Sequence, residues 1–194
     1  MKNIALFASG NGTNVQRIAE YFANSKNVCI KLIVCNKAGA YVMERAKNLH
    51  INTLLIDRTM FYESDEVVEK LQELEIDLIV LAGFLWLVPD RLIKAFPQKI
   101  INIHPALLPK YGGKGMYGMH VHEAVVANKE AFSGISIHYV NQHYDEGNII
   151  FQEKCALSNE DTAEDVAQKV HALEHAHYPK IIEQVLLLDA NNAK

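Results

Sequence analysis

Apolar and polar positions along the chain follow two rhythms. Short continuous apolar runs recur at 3–8 (NIALFA), 28–36 (VCIKLIVCN), 52–57 (NTLLID), 76–84 (IDLIVLAGF) and 99–105 (KIINIHP). Runs of this length between turn residues predict buried strands. Between them, apolar residues return every three or four positions. Val15, Ile18, Ala19 and Phe22 predict a helix over 15–24. A second helix is expected over 37–50, with Ala40, Met43 and Ala46 toward the sheet. A third is expected over 63–75, with Val67, Val68, Leu71 and Leu74 on one face and acids in its first turn. Residues 85–96 read as a loop and short helix. Strand alternating with helix implies right-handed βαβ units and a parallel sheet.

The second half departs from this rhythm. Residues 107–120 hold Gly112, Gly113, Gly115 and Gly118, a segment able to act as a lid. A short helix is expected over 121–130. Residues 133–157 contain two strand-like runs joined around YDEGN, which predicts a hairpin. The last helix opens on a capping box, Thr162-x-x-Asp165, and sets Val166, Val170, Leu173 and His177 on one face. Pro179 is expected to interrupt it before IIEQVLLL resumes. The fold class is therefore α/β: a Rossmann-like, open, twisted, mostly parallel sheet flanked by helices, with a C-terminal antiparallel hairpin and a long C-terminal helix. The expectation is one domain over 1–194, with 1–100 the phosphate- and substrate-binding half and 101–194 the catalytic and folate-side half.

Composition narrows the classes. The chain has 194 residues, 49% of them hydrophobic and 22% charged, with a formal net charge of −4. That balance argues against a general nucleic-acid binder. No apolar run approaches a membrane span. Three cysteines without a CxxC pair suit free thiols in a reducing cytoplasm. Met1 runs straight into a strand, with no signal peptide expected.

Three stretches carry candidate chemistry. Asn102 and His104 are two residues apart in IINIHP, so a strand presents both on one face at its C-terminal tip, where Pro105 ends it. Ligands of open α/β sheets bind at such tips. An amide can donate to a developing oxyanion, and an imidazole moves protons near neutral pH. Asp145, in the hairpin turn, could reach them and raise the imidazole pKa. The loop SGNGTN between the first strand and helix has the form of an anion cradle. It lacks the P-loop ending, and Val15 replaces the last glycine of a dinucleotide fingerprint, so a single phosphate group is the better ligand. His171-Ala-Leu-Glu174-His175 matches H-x-x-E-H, but nothing picks out a third metal ligand, and no metal is expected. His120 and His122 read as loop or substrate-side residues.

The combination SGNGTN, NKAGA, VLAGFLWLVP, INIHPALLPKYGGKGMYGMHVHEAV, YDEGNIIFQ and EHAHYP resembles the folate-dependent formyltransferase family, in its glycinamide ribonucleotide branch. The resemblance implies transfer of formyl from 10-formyltetrahydrofolate to the amine of N1-(5-phospho-D-ribosyl)glycinamide, a step of purine biosynthesis. It implies that Gly12, Thr13 and Asn14 hold the phosphate. Leu85, Trp86, Leu87 and Val88 would line the folate pocket with Asn102. Asn102 would bind the oxyanion, His104 would donate the proton, and Asp145 would keep His104 charged. Glu174 would contact the substrate near its amine. Relatives commonly carry an arginine in the segment aligned with Tyr62–Asp65; here Arg58 is the nearest. Trp86 stands where a basic residue is common. Small-molecule partners, no nucleic acid, no membrane and a monomer or weak homodimer are the accompanying expectations. The sister tRNA formyltransferases add a second domain, whereas this chain stops at Lys194; a non-catalytic folate-binding module is the remaining alternative.

Overall fold

A computed structural model describes residues 1–192, with side chains described to Leu188. Its elements run β1 (Lys2–Ala8), α1 (Thr13–Phe22), β2 (Val28–Cys35), α2 (Tyr41–Asn48), β3 (Thr53–Leu55), α3 (Arg58–Tyr62), α4 (Glu66–Glu73), β4 (Leu78–Leu81), α5 (Asp90–Ala95), β5 (Ile100–His104), α6 (Met119–Ala127), β6 (Phe132–Tyr139), β7 (Ile149–Ala156) and α7 (Ala163–Asn192). The sheet order is β3-β2-β1-β4-β5-β6-β7. The first five strands are parallel, and β6 and β7 are antiparallel additions.

Each face of the sheet has its own apolar layer. Ile4, Leu6, Val80 and Ile101 pack with α1, α2 and α7 on one face. Ala5, Phe7, Ile79 and Ile100 pack with α3, α4 and α5 on the other. The alternation of Ile4 and Leu6 with Ala5 and Phe7 is the period of two of a strand buried on both sides. Chain order reverses between β1 and β4, which are neighbours although two strands separate them in sequence. A crevice opens above the C-terminal ends of strands at such a switch point.

The structure differs from the sequence-based expectations in four places. The second helix occupies Tyr41–Asn48 rather than 37–50, because residues 37–40 form a turn closed by the Ala40 amide on the Lys37 carbonyl. The extra helix α3 lies between two expected elements; the Asp57 carboxylate caps it by accepting from the Met60 amide at 2.8 Å. Pro179 does not interrupt α7, which is continuous through it. Tyr178, Ile181 and Ile182 are buried around it, and the Tyr178 hydroxyl donates to the Leu81 carbonyl at 2.9 Å, so packing outweighs the one missing backbone bond. The buried face of α7 passes through Glu174 and Tyr178, while His177 is half-buried and stacks on Phe151 with ring centroids 5.0 Å apart. The capping box is present: the Thr162 hydroxyl accepts from the Asp165 amide, and the Asp165 carboxylate accepts from the Thr162 amide. Among the described residues, no helix is long and apolar enough to cross a membrane.

Candidate functional site

β5 ends at His104, and Pro105 begins a turn. Asn102 and His104 therefore stand on one face at the tip of a central strand. Antiparallel pairing puts His138 of β6 opposite Asn102. The loop after β6 returns Asp145 to the same tip, with Asp145 at φ 58°, a conformation that Asp tolerates better than most residues. Residues 102, 104 and 145 thus converge: Asn102 Nδ2 donates to Asp145 Oδ1 at 3.4 Å, and His104 Nδ1 lies 3.5 Å from Asp145 Oδ2.

Carbonyl partners set the ring tautomers. The Tyr111 carbonyl, 2.7 Å from His104 Nε2, can only accept, so Nε2 carries the hydrogen. Nδ1 is then the basic nitrogen, and it faces the carboxylate. In the same way the Tyr139 carbonyl, 2.8 Å from His138 Nδ1, fixes the hydrogen there. His138 Nε2 accepts from Asn102 Nδ2 at 3.1 Å and lies 3.6 Å from Asp145 Oδ1. His138 is a fourth member of the cluster that the sequence reading missed. Its signal was the alternation in SGISIHYV, which puts His138 on the same face as Ser136.

Burial and charge compete at His104, which is 4% exposed. Burial pushes its pKa down; Asp145 and the Tyr111 carbonyl push it up, and the net direction is down. Burial thus opposes the charging effect that the resemblance implies for Asp145. Asp145 itself is held below the ordinary carboxyl value. Burial would raise it, but the neighbouring His138 and His104 imidazoles and the Gly113 amide, which donates to Oδ2 at 2.9 Å, outweigh that.

The glycine loop before α1 lies beside this cluster. Gly12 precedes α1 at φ 77°, and a Cβ there would fall 2.5 Å from Val42 Cγ2, so only glycine fits. No side chain caps α1, which leaves its first amides to the cleft. Helix α2 braces the loop: the Val42 amide donates to the Gly10 carbonyl at 3.1 Å, and Arg45 Nε donates to the Asn11 carbonyl at 2.8 Å. Asn14 turns inward and donates to Glu174 Oε2 at 2.9 Å. Burial raises the Glu174 carboxyl, with Asn14 and His171 opposing it.

The opposite wall follows β4. The Ser9 hydroxyl accepts from the Leu85 amide at 3.0 Å, and Tyr62 donates to the Leu87 carbonyl at 3.1 Å. Trp86 packs on Phe61 and Phe84, and the Arg58 guanidinium lies over its ring at 5.2 Å. Arg58, the nearest arginine in sequence to 62–65, is thus drawn to Trp86. All these residues except Arg58, the buried Phe61 and Ser9, and the half-buried Tyr62 line one cleft of about 710 Å³, together with Asn102, His104, Asp145 and Glu174. That is ample for two small ligands. The cleft draws on both halves of the chain: Leu85–Val88 from the first and Glu174 from the second. His122 also lines it and is 2% exposed. The H-x-x-E-H residues form one helix face, but among the described residues no three metal-ligating side chains converge.

A family model described as "Formyl transferase" matches residues 2–182. Phosphoribosylglycinamide formyltransferase of Bacillus subtilis is 36% identical, with 100% of each chain covered. The chloroplastic enzyme of that name from Arabidopsis thaliana is 39% identical over 93% of this chain. The chain spans 64% of that protein's length and 60% of its counterpart from Vigna unguiculata. The crystal structure of phosphoribosylglycinamide formyltransferase from Bacillus halodurans superposes with a TM-score of 0.85 at 36% identity, covering 95% of both chains. Formyltransferases of this family take the formyl group from a folate. A match through nearly the whole length, on a cleft built this way, places the chain in the formyl transferase family, among relatives named phosphoribosylglycinamide formyltransferase.

Proposed function

We propose that this protein transfers a formyl group from 10-formyltetrahydrofolate to the amine of N1-(5-phospho-D-ribosyl)glycinamide, a step of purine biosynthesis. The observation that carries the reading is the convergence of Asn102, His104 and Asp145 beside the uncapped start of α1, within one cleft. In this reading the amides after Gly12, at Thr13 and Asn14, hold the substrate phosphate, and Glu174 accepts from the substrate near its amine.

The wall of Phe84, Leu85, Trp86, Leu87 and Val88 suits the flat, largely apolar ring of a folate, and its backbone groups supply polar contacts. A bound formyl folate supplies the one-carbon group. Asn102 Nδ2 is the donor for the oxyanion that develops when the amine nitrogen bonds to the formyl carbon. His104 Nδ1 is neutral and basic, so it accepts the proton that this attack releases. Asp145 Oδ2, 3.5 Å away, stabilises the imidazolium so formed. The same proton then goes to the leaving nitrogen as its bond to the formyl carbon breaks. His104 is a shuttle in this scheme rather than a resting acid. Asn102 Nδ2 keeps its 3.1 Å bond to His138 Nε2 and turns its other hydrogen from the longer, 3.4 Å bond to Asp145 Oδ1 onto the oxyanion.

The test is direct. Purified protein is mixed with both compounds, and release of tetrahydrofolate is followed by absorbance. Transfer dependent on both substrates is expected, and its loss in His104→Ala with the fold retained. No transfer by the wild type would end the reading. The three free cysteines, Cys29, Cys35 and Cys155, suit a reducing compartment, and a cytoplasmic location is part of the same proposal.

A further inference from the structure

Glu174 is 5% exposed, and among the described residues its hydrogen-bond donor is a neutral amide, Asn14 Nδ2 at 2.9 Å. A neutral donor does not offset the cost of a buried charge. The groups facing this corner come from three helices. From α1 they are Asn14 and, a turn on, Arg17 and Glu20, which pair with each other at 3.4 Å. From α6 it is His122, with His104 of β5 beyond it. From α7 itself they are His171, His175 and the Tyr178 phenol.

The three histidines are not equivalent. His122 is enclosed, with its Nδ1 buried and unpartnered, and burial holds its pKa down at about 4. His175 is half-buried with its Nε2 unpartnered, and burial lowers it too. His171 has a side chain 55% exposed, and its Nε2 lies 4.0 Å from Glu174 Oε2. Its ring faces His122 at 6.5 Å and stacks on His175 at 6.4 Å between centroids. Of the three, it is the ring that water reaches and that also faces the carboxylate.

We propose that His171 is a positioning residue for the nucleotide substrate, acting across 4.0 Å to hold Glu174 as a carboxylate able to accept a substrate N–H or O–H. Burial favours the neutral carboxyl at Glu174, and a positive charge on the imidazole 4.0 Å away opposes that. This gives the H-x-x-E-H face a use without a metal: the i,i+3 spacing on α7 sets a titratable cation beside a buried acid. The identity of the substrate rests on the formyl-transfer reading; the pairing of His171 with Glu174 does not.

The test is a carbon-13 titration of the glutamate carboxyl carbons in the whole, ligand-free protein. Wild type, H171Q and H171K are compared, and the Glu174 signal is assigned by its loss in E174Q. The Glu174 midpoint is expected to rise by about one pH unit or more in H171Q, a tenfold change in protonation equilibrium. It should return to the wild-type value or below in H171K, which restores a cation. The same midpoint in all three proteins overturns the proposal. Steady-state kinetics give a second readout. In H171Q the KM for the nucleotide should rise about tenfold at pH 6 and approach wild type as the pH is raised, because higher pH favours the Glu174 carboxylate without a cation beside it. The kcat should move less than the KM, and H171K should recover the wild-type KM. An unchanged KM at pH 6, or an equal loss at both pH values, counts against it. If the wild type transfers no formyl group, it is the functional reading that fails, and the carbon titration alone decides the pairing.

Discussion

Replacing Gly147 by alanine tests whether the position of Asp145, rather than its mere presence, sets the rate. Gly147 is two residues beyond Asp145 in the loop joining β6 to β7. A Cβ there would lie 2.7 Å from the carbonyl carbon of Tyr139, closer still to its oxygen, and 3.5 Å from His138 Nδ1. The obstacle is backbone, not the end of a flexible side chain. It is also the carbonyl that accepts from His138 Nδ1, and the Tyr139 amide accepts no slack, since it donates to the Asn148 carbonyl at 2.9 Å. The loop must therefore move away from β6 by about 1 Å, carrying Asp145 with it. A shift of that size in a catalytic group costs about 10² in rate. The overlap itself costs about 1–3 kcal/mol of stability, a fall of several degrees in Tm for a chain of this size. The assay is steady-state formyl transfer beside thermal unfolding. Gly39→Ala is the control: it has open space around its Cβ and is expected to be neutral or slightly stabilising. A Gly147→Ala protein with wild-type kcat and Tm would refute the argument.

Other outcomes follow from the same geometry. His104→Ala should lower kcat by about 10²–10⁴ and Asn102→Ala by about 10²–10³, read in the same assay with circular dichroism unchanged. Asp145→Asn keeps a residue that tolerates φ 58° but removes the charge opposing burial. The His104 pKa should then fall further, and the acid limb of the kcat profile should move to lower pH as the rate drops; an unmoved limb would show that Asp145 does not act through His104. His122 binds its proton near 4 when folded and near 6.5 when unfolded, so the unfolded chain holds more protons between those values. Stability should therefore fall by about 3 kcal/mol as pH drops from 6.5 to 4 on account of this residue. His122→Gln should lack that component in denaturant unfolding at the two pH values. Tyr178→Phe removes the donor to the Leu81 carbonyl and should cost about 1 kcal/mol in the same experiment.

The site was legible in part. Asn102 and His104 share a strand face by the period of two, and Pro105 marks where the strand stops, so local rules reach them. Asp145 was found through the turn residues that carry it. His138 was not, because its partner Asn102 lies 36 residues away in another strand, and only register brings them together. The burial acting on His104 was not legible, because a carboxylate can be foreseen from sequence, whereas an exposure of 4% cannot. Pro179 was misjudged for a related reason. Local chemistry says that proline breaks a helix, but Tyr178 and Ile182 anchor both sides of it to the sheet.

Hydrophobic rhythm, glycine placement and strand-end residues are properties of neighbours along the chain. From them alone came the alternating α/β order, the glycine loop after the first strand, the hairpin and the family resemblance. Distances between remote side chains, solvent exclusion and ring tautomers are properties of neighbours in space. Those decided that His138 holds Asn102, that burial outweighs Asp145 at His104, and that Asn14 and Glu174 meet across 160 positions of chain. Short-range preferences are encoded one residue at a time, but an electrostatic environment exists only once the whole sheet has closed around it.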